Sequence, residues 1–514
     1  MTLSKNDKYK NLAKKAKLNA SSGLLFFIIR IIIVLIMNPV LIQYLGSTHF
    51  GIWKSIEKFL GFASVADGKA VQALKWTIAN QEASDDIDRK KRAVGSALLI
   101  WFLFLPILGS IIALLVFYAP DFIKNLSVTD YMLVTTVFLL LGLNLILTPL
   151  FGIPNSVLTG TNNGFISNYN NIFWSILSAI LTYAALISGY GLQELATIVI
   201  LVTALRGLNL LFWVKKKVFW FGVAKPEKSE LHSFFKFSSW VLVWSFIAKF
   251  LLGGEVILLS ALIGPEEVSK YIFTSYLAFT AISLSAIVTS SITPGLGMLI
   301  GNKDFVKSQR IMVKLRNFAF GFSVFSGALI LLFNKSFVTL WGGEMLFLGW
   351  ENNLLIVMLM IQLISIRTES FLIDLTLDLK VKVLLGIVSV ILSLIFSYLL
   401  YSYVHKSVSS ILLGILVGRL LLVFIFPVII NEFIEYDKKW IYSLKEMFFT
   451  LILISVSTFI GLNQYVTTWI SLILFGLLAV IICGIYVYTF LLSGENKAFI
   501  KNRIFKKIKS LKND

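Results

Sequence analysis

From Leu45 to Gln81 the chain reads LGSTHFGIWKSIEKFLGFASVADGKAVQALKWTIANQ. The stretch is long enough to cross a bilayer, yet it carries Lys54, Glu57, Lys58, Asp67, Lys69 and Lys75. The oily segment before it, 24–45, holds one charge, Arg30. A charge at the centre of a spanning helix costs about 2.5–3.5 kcal/mol on insertion scales, so such residues persist where they face a bundle interior or a water-filled path. The two segments therefore read as a helix pair lining a polar path inside a membrane bundle.

Working outward, apolar runs of about 20 residues recur from end to end. Of the 514 residues, 57% are hydrophobic, where a soluble globular chain has about 45–50%. This predicts an all-α polytopic membrane protein. The runs are continuous rather than alternating, which excludes a β-barrel. Fourteen transmembrane helices are expected, over 20–45, 50–80, 93–117, 131–153, 164–189, 193–214, 234–263, 268–300, 316–340, 349–378, 381–404, 408–431, 446–463 and 466–492. The one cysteine, Cys483, lies in an apolar run, and His49, His232 and His405 are far apart. Neither a disulfide framework nor a metal site is expected. The Lys-rich N-terminal arm leads into a run long enough to remain as a span, so no cleavable signal peptide is expected.

The net charge of +19 would suggest nucleic acid in a soluble protein. Here the charges sit in short loops, where they set topology, and a nucleic-acid partner is excluded. Basic residues crowd the N-terminal arm, the Arg89–Arg92 loop, the segments 215–228 and 303–316, Lys380 and Lys382, Lys438, Lys439 and Lys445, and the tail from Lys497. The opposite loops hold only Lys124, Lys270, Lys335 and Lys406. The positive-inside bias puts both termini in the cytoplasm. The loop around Pro226 splits the first twelve spans into six and six. The expected organisation is an N-terminal lobe over 1–222, a C-terminal lobe over 223–435, and helices 13 and 14 with a basic cytoplasmic tail over 436–514.

The lobes echo one another. Leu45-Gly46-(x)3-Phe50-Gly51-Ile52-Trp53 has a weak counterpart in Ile263-Gly264-(x)3-Val268-Ser269-Lys270-Tyr271, with Arg30 and Lys249 at matching distances before the glycines. Such parallel repeats are a transporter feature. In the second span Lys54, Lys58, Gly61, Gly68, Gln72 and Lys75 form a polar stripe at helical spacing, with Trp53 and Trp76 near the interfaces. In the seventh, Ser238, Ser245, Lys249, Gly253 and Ser260 share a face; in the tenth, Arg367, Ser370, Asp374 and Asp378 do. Lys54, Lys75, Lys236 and Asp378 lie near span ends and read as snorkelling side chains. Arg206 and Arg419 read as topological, and Arg367 as a partner for Glu369 or Asp374. Arg30, Lys58 and Lys249 stand near mid-depth and read as lining a cationic cavity. An anion moving outward is helped by the membrane potential, about 2.3 kcal/mol per charge per 100 mV.

At Leu45-Gly46-(x)3-Phe50-Gly51-Ile52-Trp53, the Gly61–Ala79 stretch and the Leu158-Thr159-Gly160 to Gly164 turn, the chain resembles Wzx-type polysaccharide (O-antigen) flippases. These belong to the multidrug/oligosaccharidyl-lipid/polysaccharide exporter (MOP) superfamily. The resemblance implies a MATE-like fold of two pseudo-symmetric six-helix lobes in a V, plus two C-terminal helices, alternating access around a central cavity. It implies an undecaprenyl-pyrophosphate-linked oligosaccharide as substrate, the bacterial inner membrane as location, and a polysaccharide polymerase with its chain-length machinery as partners. Arg30, Lys58 and Lys249 would then bind the pyrophosphate. Asp67, Lys69, Glu255, Arg367 and Asp374 would be polar cavity groups or couple H⁺ or Na⁺, with no other cofactor. Related lipid-II flippases bind pyrophosphate through arginines of the first helices; Arg30 occupies a similar place, whereas the second-span positions here are Lys58 and Lys69, which meet phosphate as point charges rather than bidentately.

Two rivals stand beside this reading. A cation-coupled drug exporter of the same fold calls for an acid-lined N-terminal lobe, but bases outnumber acids in the first two spans. A membrane polysaccharide polymerase or glycosyltransferase calls for a large catalytic outside loop, and the outside loops are short. No phosphate-binding Gly-x4-Gly-Lys-Ser/Thr motif and no His-Glu-x-x-His motif occurs, so no enzyme is expected.

Overall fold

The computed structural model describes residues 5–81, 86–376, 379–436, 443–494, 496–498 and 501. Asp378, Lys438, Lys439 and the tail beyond Lys501 lie outside the described residues, as do the side chains of Trp76, His232, Lys236 and Ser238. The chain is 89% helix with no strand among the described residues. In order, the helices are α1 (Lys5–Ala63), α2 (Ala70–Gln81), α3 (Ile87–Phe117), α4 (Ala119–Phe122), α5 (Val128–Gly160), α6 (Gly164–Ile187), α7 (Leu192–Lys217) and α8 (Lys228–Leu262). They continue with α9 (Pro265–Gly301), α10 (Phe305–Gly342), α11 (Trp350–Asp374), α12 (Lys380–Leu399), α13 (Val408–Phe433), α14 (Leu444–Asn463) and α15 (Trp469–Tyr486).

Among the described residues 13 helical segments are long and apolar enough to cross a membrane. The first, Lys17–Asp67, runs to 51 residues, about twice a bilayer's need. It breaks at Gly46, whose φ of 76° and ψ of 170° are not helical, so it accounts for the first two expected spans. Glycine is required there because a Cβ disfavours positive φ. Gly264, its partner in the repeat, has φ 143° and separates α8 from α9. The protein is a multi-pass membrane protein.

Helix starts follow from the local sequence. Asp86 accepts from Arg89 N at 2.8 Å and caps α3. Ser443 and Glu446 form a reciprocal capping box on α14, at 3.2 and 2.8 Å, and Thr468 caps α15. Each satisfies amides that a helix start leaves open.

The chain forms two compact units, residues 1–268 and 269–514. In the first, Leu74, Ile78, Val94, Ile100, Val157, Leu158 and Val214 make a core joining α2, α3, α5 and α7. One end of α1 is tied to the α5–α6 turn. Asn19 donates to Asn162 Oδ1 at 2.6 Å and accepts from Phe165 N at 2.6 Å, and Asn168 donates to Ser22 at 2.9 Å. Just past the Gly46 break, a Cβ on Gly51 would overlap the Pro265 carbonyl, and Thr48 donates to Glu266 at 3.2 Å.

In the second unit α12 and α13 approach closely where Gly414 and Gly418 face Ser397 and Ser393. Ser389 and Ser397 donate to Gly418 O and Ile411 O at 3.1 and 2.9 Å. Small residues and cross-helix hydroxyl bonds are how membrane helices associate. Phe320, Val324, Leu453, Cys483, Val487 and Leu491 join α10, α14 and α15. The outward side chains of α14 and α15, such as Phe459, Ile470 and Ile481, are exposed and apolar, as a lipid-facing surface must be.

Candidate functional site

The second expected span is not one helix. It ends at Ala63, passes through a short tight turn over Ser64–Asp67, and resumes as α2. Gly68 lies in the left-handed region at φ 70° and Lys69 at φ 50°. The stripe expected from Lys54 to Lys75 therefore does not continue along a single face. The pattern misled because its spacing is helical on both sides of the break.

A broken helix inside a membrane must satisfy its freed carbonyls from within the protein. Here lysines do so. Lys69 Nζ donates to Ser64 O at 2.9 Å and pairs with Asp67 at 3.1 Å, while Asp67 accepts from Lys69 N at 2.8 Å. Lys249, on α8, donates to Gly61 O and to Ser64 Oγ. Cations at a helix C-terminus also meet the negative end of its dipole. One turn earlier Lys58 lies against Gly253 of α8, where a Cβ would come within 3.2 Å of its Nζ. The charges acting on Lys58 are Glu255, Glu57 and Lys54, and Glu255 is buried at 3% exposure. Of the sequence-predicted site residues, Lys58, Asp67, Lys69, Lys249 and Glu255 thus gather around the break between α1 and α2, where α8 packs against it.

Arg30 stands elsewhere in this unit. It lines a cleft of about 530 Å³ with Asn38, Trp53, Lys54 and Glu57 of α1, Ser175, Ser178 and Thr182 of α6, and Thr203 and Arg206 of α7. Neither Lys58 nor Lys249 is among the residues that line it. Lys54 pairs with Glu57 at 3.0 Å and sits 5.5 Å from the Phe50 ring centroid. Trp53 is buried at 7% exposure and faces this cleft. Arg206 is not a helix-end topology signal. Helix α7 continues to Lys217, which sets Arg206 about 16 Å inside it at 1.5 Å per residue. Among the described residues neither Arg30 nor Arg206 makes an ion pair or side-chain hydrogen bond. The cleft therefore offers two arginines with unspent donors beside hydroxyl and amide groups.

The second unit holds the remaining predicted residues. Glu369 is taken by Arg316, with Nε and Nη2 at 2.7 and 2.5 Å, and Arg316 Nη1 also donates to Asn431 at 2.6 Å. Arg316 and Glu369 are both nearly inaccessible. Asp374 accepts from Lys382 at 2.5 Å, and Lys382 Nζ also reaches Ser370 O at 3.1 Å. Arg367 consequently pairs with neither acid, contrary to expectation, because two bases read as loop charges had claimed them. Arg419 is fully buried within α13 rather than topological. Among the described residues no three His, Cys, Asp or Glu side chains could hold a metal ion.

No protein-family model matches the chain, and no curated protein sequence matches it significantly. Solved structures do. An inward-facing multidrug resistance MATE family transporter of the MOP superfamily matches with a TM-score of 0.62 and 14% identity, covering 80% of this chain and 96% of its own. The fold is the MATE fold. The Vibrio cholerae MATE transporter VcmN shares it, at TM-score 0.60 and 14% identity over 84% of this chain and 99% of its own. A third MATE-fold protein is a MOP superfamily transporter from Pyrococcus furiosus, for which a binding pocket of reverse polarity suggested a different function. It aligns at TM-score 0.51 and 15% identity, over 82% of this chain and 94% of its own.

Proposed function

We propose that this protein is a transporter, not an enzyme, that flips an undecaprenyl-pyrophosphate-linked oligosaccharide. The oligosaccharide is an O-antigen or related polysaccharide repeat unit, and it moves from the cytoplasmic to the outer leaflet of the bacterial inner membrane by alternating access. The observation that carries the reading is the Arg30–Arg206 cleft. Two guanidinium groups without acidic partners suit a pyrophosphate, which arginine can grip bidentately. Ser175, Ser178, Thr182, Thr203 and Asn38 offer hydrogen bonds to sugar hydroxyls. Lys58 and Lys249, at the neighbouring helix break, add positive potential, and interrupted helices are a feature of transporter binding sites. Both termini face the cytoplasm in this account, as the loop charges indicate, and the six-plus-six repeat divides at 222/223. Asp67, Glu255 and Asp374 are the carboxylates through which H⁺ or Na⁺ would couple. A polysaccharide polymerase and chain-length machinery receive the product.

The multidrug neighbours favour a second reading, a cation-coupled drug exporter. Against it, the charged side chains lining the cleft are Arg30, Lys54 and Arg206 with Glu57 alone opposing them, a polarity that repels a cationic drug. The test is flipping of a radiolabelled lipid-linked sugar in a deletion strain complemented with wild type, Arg30→Ala or Arg206→Ala. Loss of flipping at normal protein level in both variants supports the reading. Normal flipping in both removes the cleft from it.

A further inference from the structure

A second cleft, of about 820 Å³, lies on the same three helices as the Arg30–Arg206 cleft, toward Lys217. Lys15 of α1, Tyr169 and Asn170 of α6, and Asn209, Trp213 and Lys217 of α7 line it. Asn170 is 7% exposed, and its Nδ2 has no hydrogen-bond partner. A buried amide donor left open is unfavourable until something accepts from it. Its three kinds of lining group serve one ligand chemistry. Amides such as Asn170 and Asn209 bond sugar hydroxyls. The Tyr169 and Trp213 rings offer apolar faces with polar tips for the C–H side of a pyranose. Lys15 and Lys217 meet a phosphate as point charges.

The two clefts follow one track. Asn170, Trp174 and Ser178 succeed each other at four-residue intervals on α6, and Arg206 and Asn209 are three apart on α7, so each set shares a helix face. Trp174 and Ser178 line the first cleft and Asn170 the second; Arg206 lines the first and Asn209 the second.

We propose that this second cleft binds a glycosyl phosphate headgroup and is the loading station from which the headgroup passes along α6 and α7 to Arg30 and Arg206. The passage rests on the flippase reading; the binding chemistry does not. Two sources could present the phosphate of such a headgroup, a lipid-linked sugar or a phospholipid of the surrounding bilayer, and the experiment separates them.

The full chain, purified in nanodiscs of phosphatidylethanolamine or phosphatidylglycerol, is titrated with N-acetylglucosamine 1-phosphate, glucose 1-phosphate and inorganic phosphate. Tryptophan fluorescence is followed, with Trp213→Phe assigning the signal. The expected result is saturable binding of a glycosyl phosphate at least tenfold tighter than of inorganic phosphate, in both lipids. Asn170→Leu and, separately, Lys217→Gln should each weaken it about tenfold. The exposed Lys217 keeps the test valid if Asn170→Leu does not fold. Equal affinity for inorganic phosphate, loss of binding in phosphatidylglycerol, or indifference to both variants overturns the proposal. Binding that survives while Arg30→Ala and wild type flip alike would sink the cleft's role in flipping but not this site.

Discussion

Lys249→Met should loosen the break in the second span without disturbing the helices around it. The ammonium donates to Gly61 O and Ser64 Oγ, and methionine keeps most of its length while removing both bonds. A hydrogen bond from a charged donor contributes about 1.5–3 kcal/mol. Ser64 Oγ retains Gly61 O as an acceptor at 2.8 Å, so only part of the two-bond sum is lost, about 2–3 kcal/mol. If that energy holds the turn closed, amides from Ser64 to Ala73 should exchange hydrogen about 30- to 140-fold faster in the variant, at about 1.4 kcal/mol per tenfold. Hydrogen–deuterium exchange with mass spectrometry on the detergent-solubilised protein reads this directly, and peptides from α13 serve as an internal reference. A change below threefold at the break would show that Lys249 does not hold it. Equal acceleration in α13 would show that the variant loosened the whole molecule.

Two further substitutions probe the packing. Glu369→Gln strands the buried Arg316 guanidinium; removing one partner of a buried pair costs about 3–5 kcal/mol, so the thermal transition in detergent should fall by several degrees, and Arg316→Met added to it should restore most of the loss. Gly51→Ala drives a Cβ into the Pro265 carbonyl and should destabilise by about 1–3 kcal/mol, whereas Gly61→Ala, a helical site with no atom within 4 Å of the new Cβ, should leave the transition unmoved or slightly raised.

The spans could be read from the sequence because crossing a bilayer demands apolar length, and composition displays length openly. Gly46 and Gly264 could be read because a turn between long helices calls for a residue that tolerates positive φ. The break at Ser64–Lys69 could not, since Gly68 sits where a helical stripe also places a small residue. Lysines in this region looked like cavity-lining charges; the structure shows Lys69 and Lys249 bonded to backbone oxygens that only a break exposes. Arg206 reads as topological in the sequence because the three lysines ending α7 resemble a loop, which moves the apparent helix end toward it. Arg316 and Lys382 resemble loop charges in the same way, which leaves Glu369 and Asp374 looking available to Arg367. Such pairings join residues far apart in the chain or across a turn, and one sequence does not display them.

The central claim is that the Arg30–Arg206 cleft selects a pyrophosphate anion. The most direct measurement is equilibrium binding of undecaprenyl pyrophosphate to the purified full chain by native mass spectrometry, with ethidium as the cationic competitor. The account predicts specific binding of the pyrophosphate lipid, weakened at least tenfold by Arg30→Gln and by Arg206→Gln, and no displacement by ethidium. Ethidium binding that both substitutions leave intact, with no retention of the pyrophosphate lipid, would contradict it.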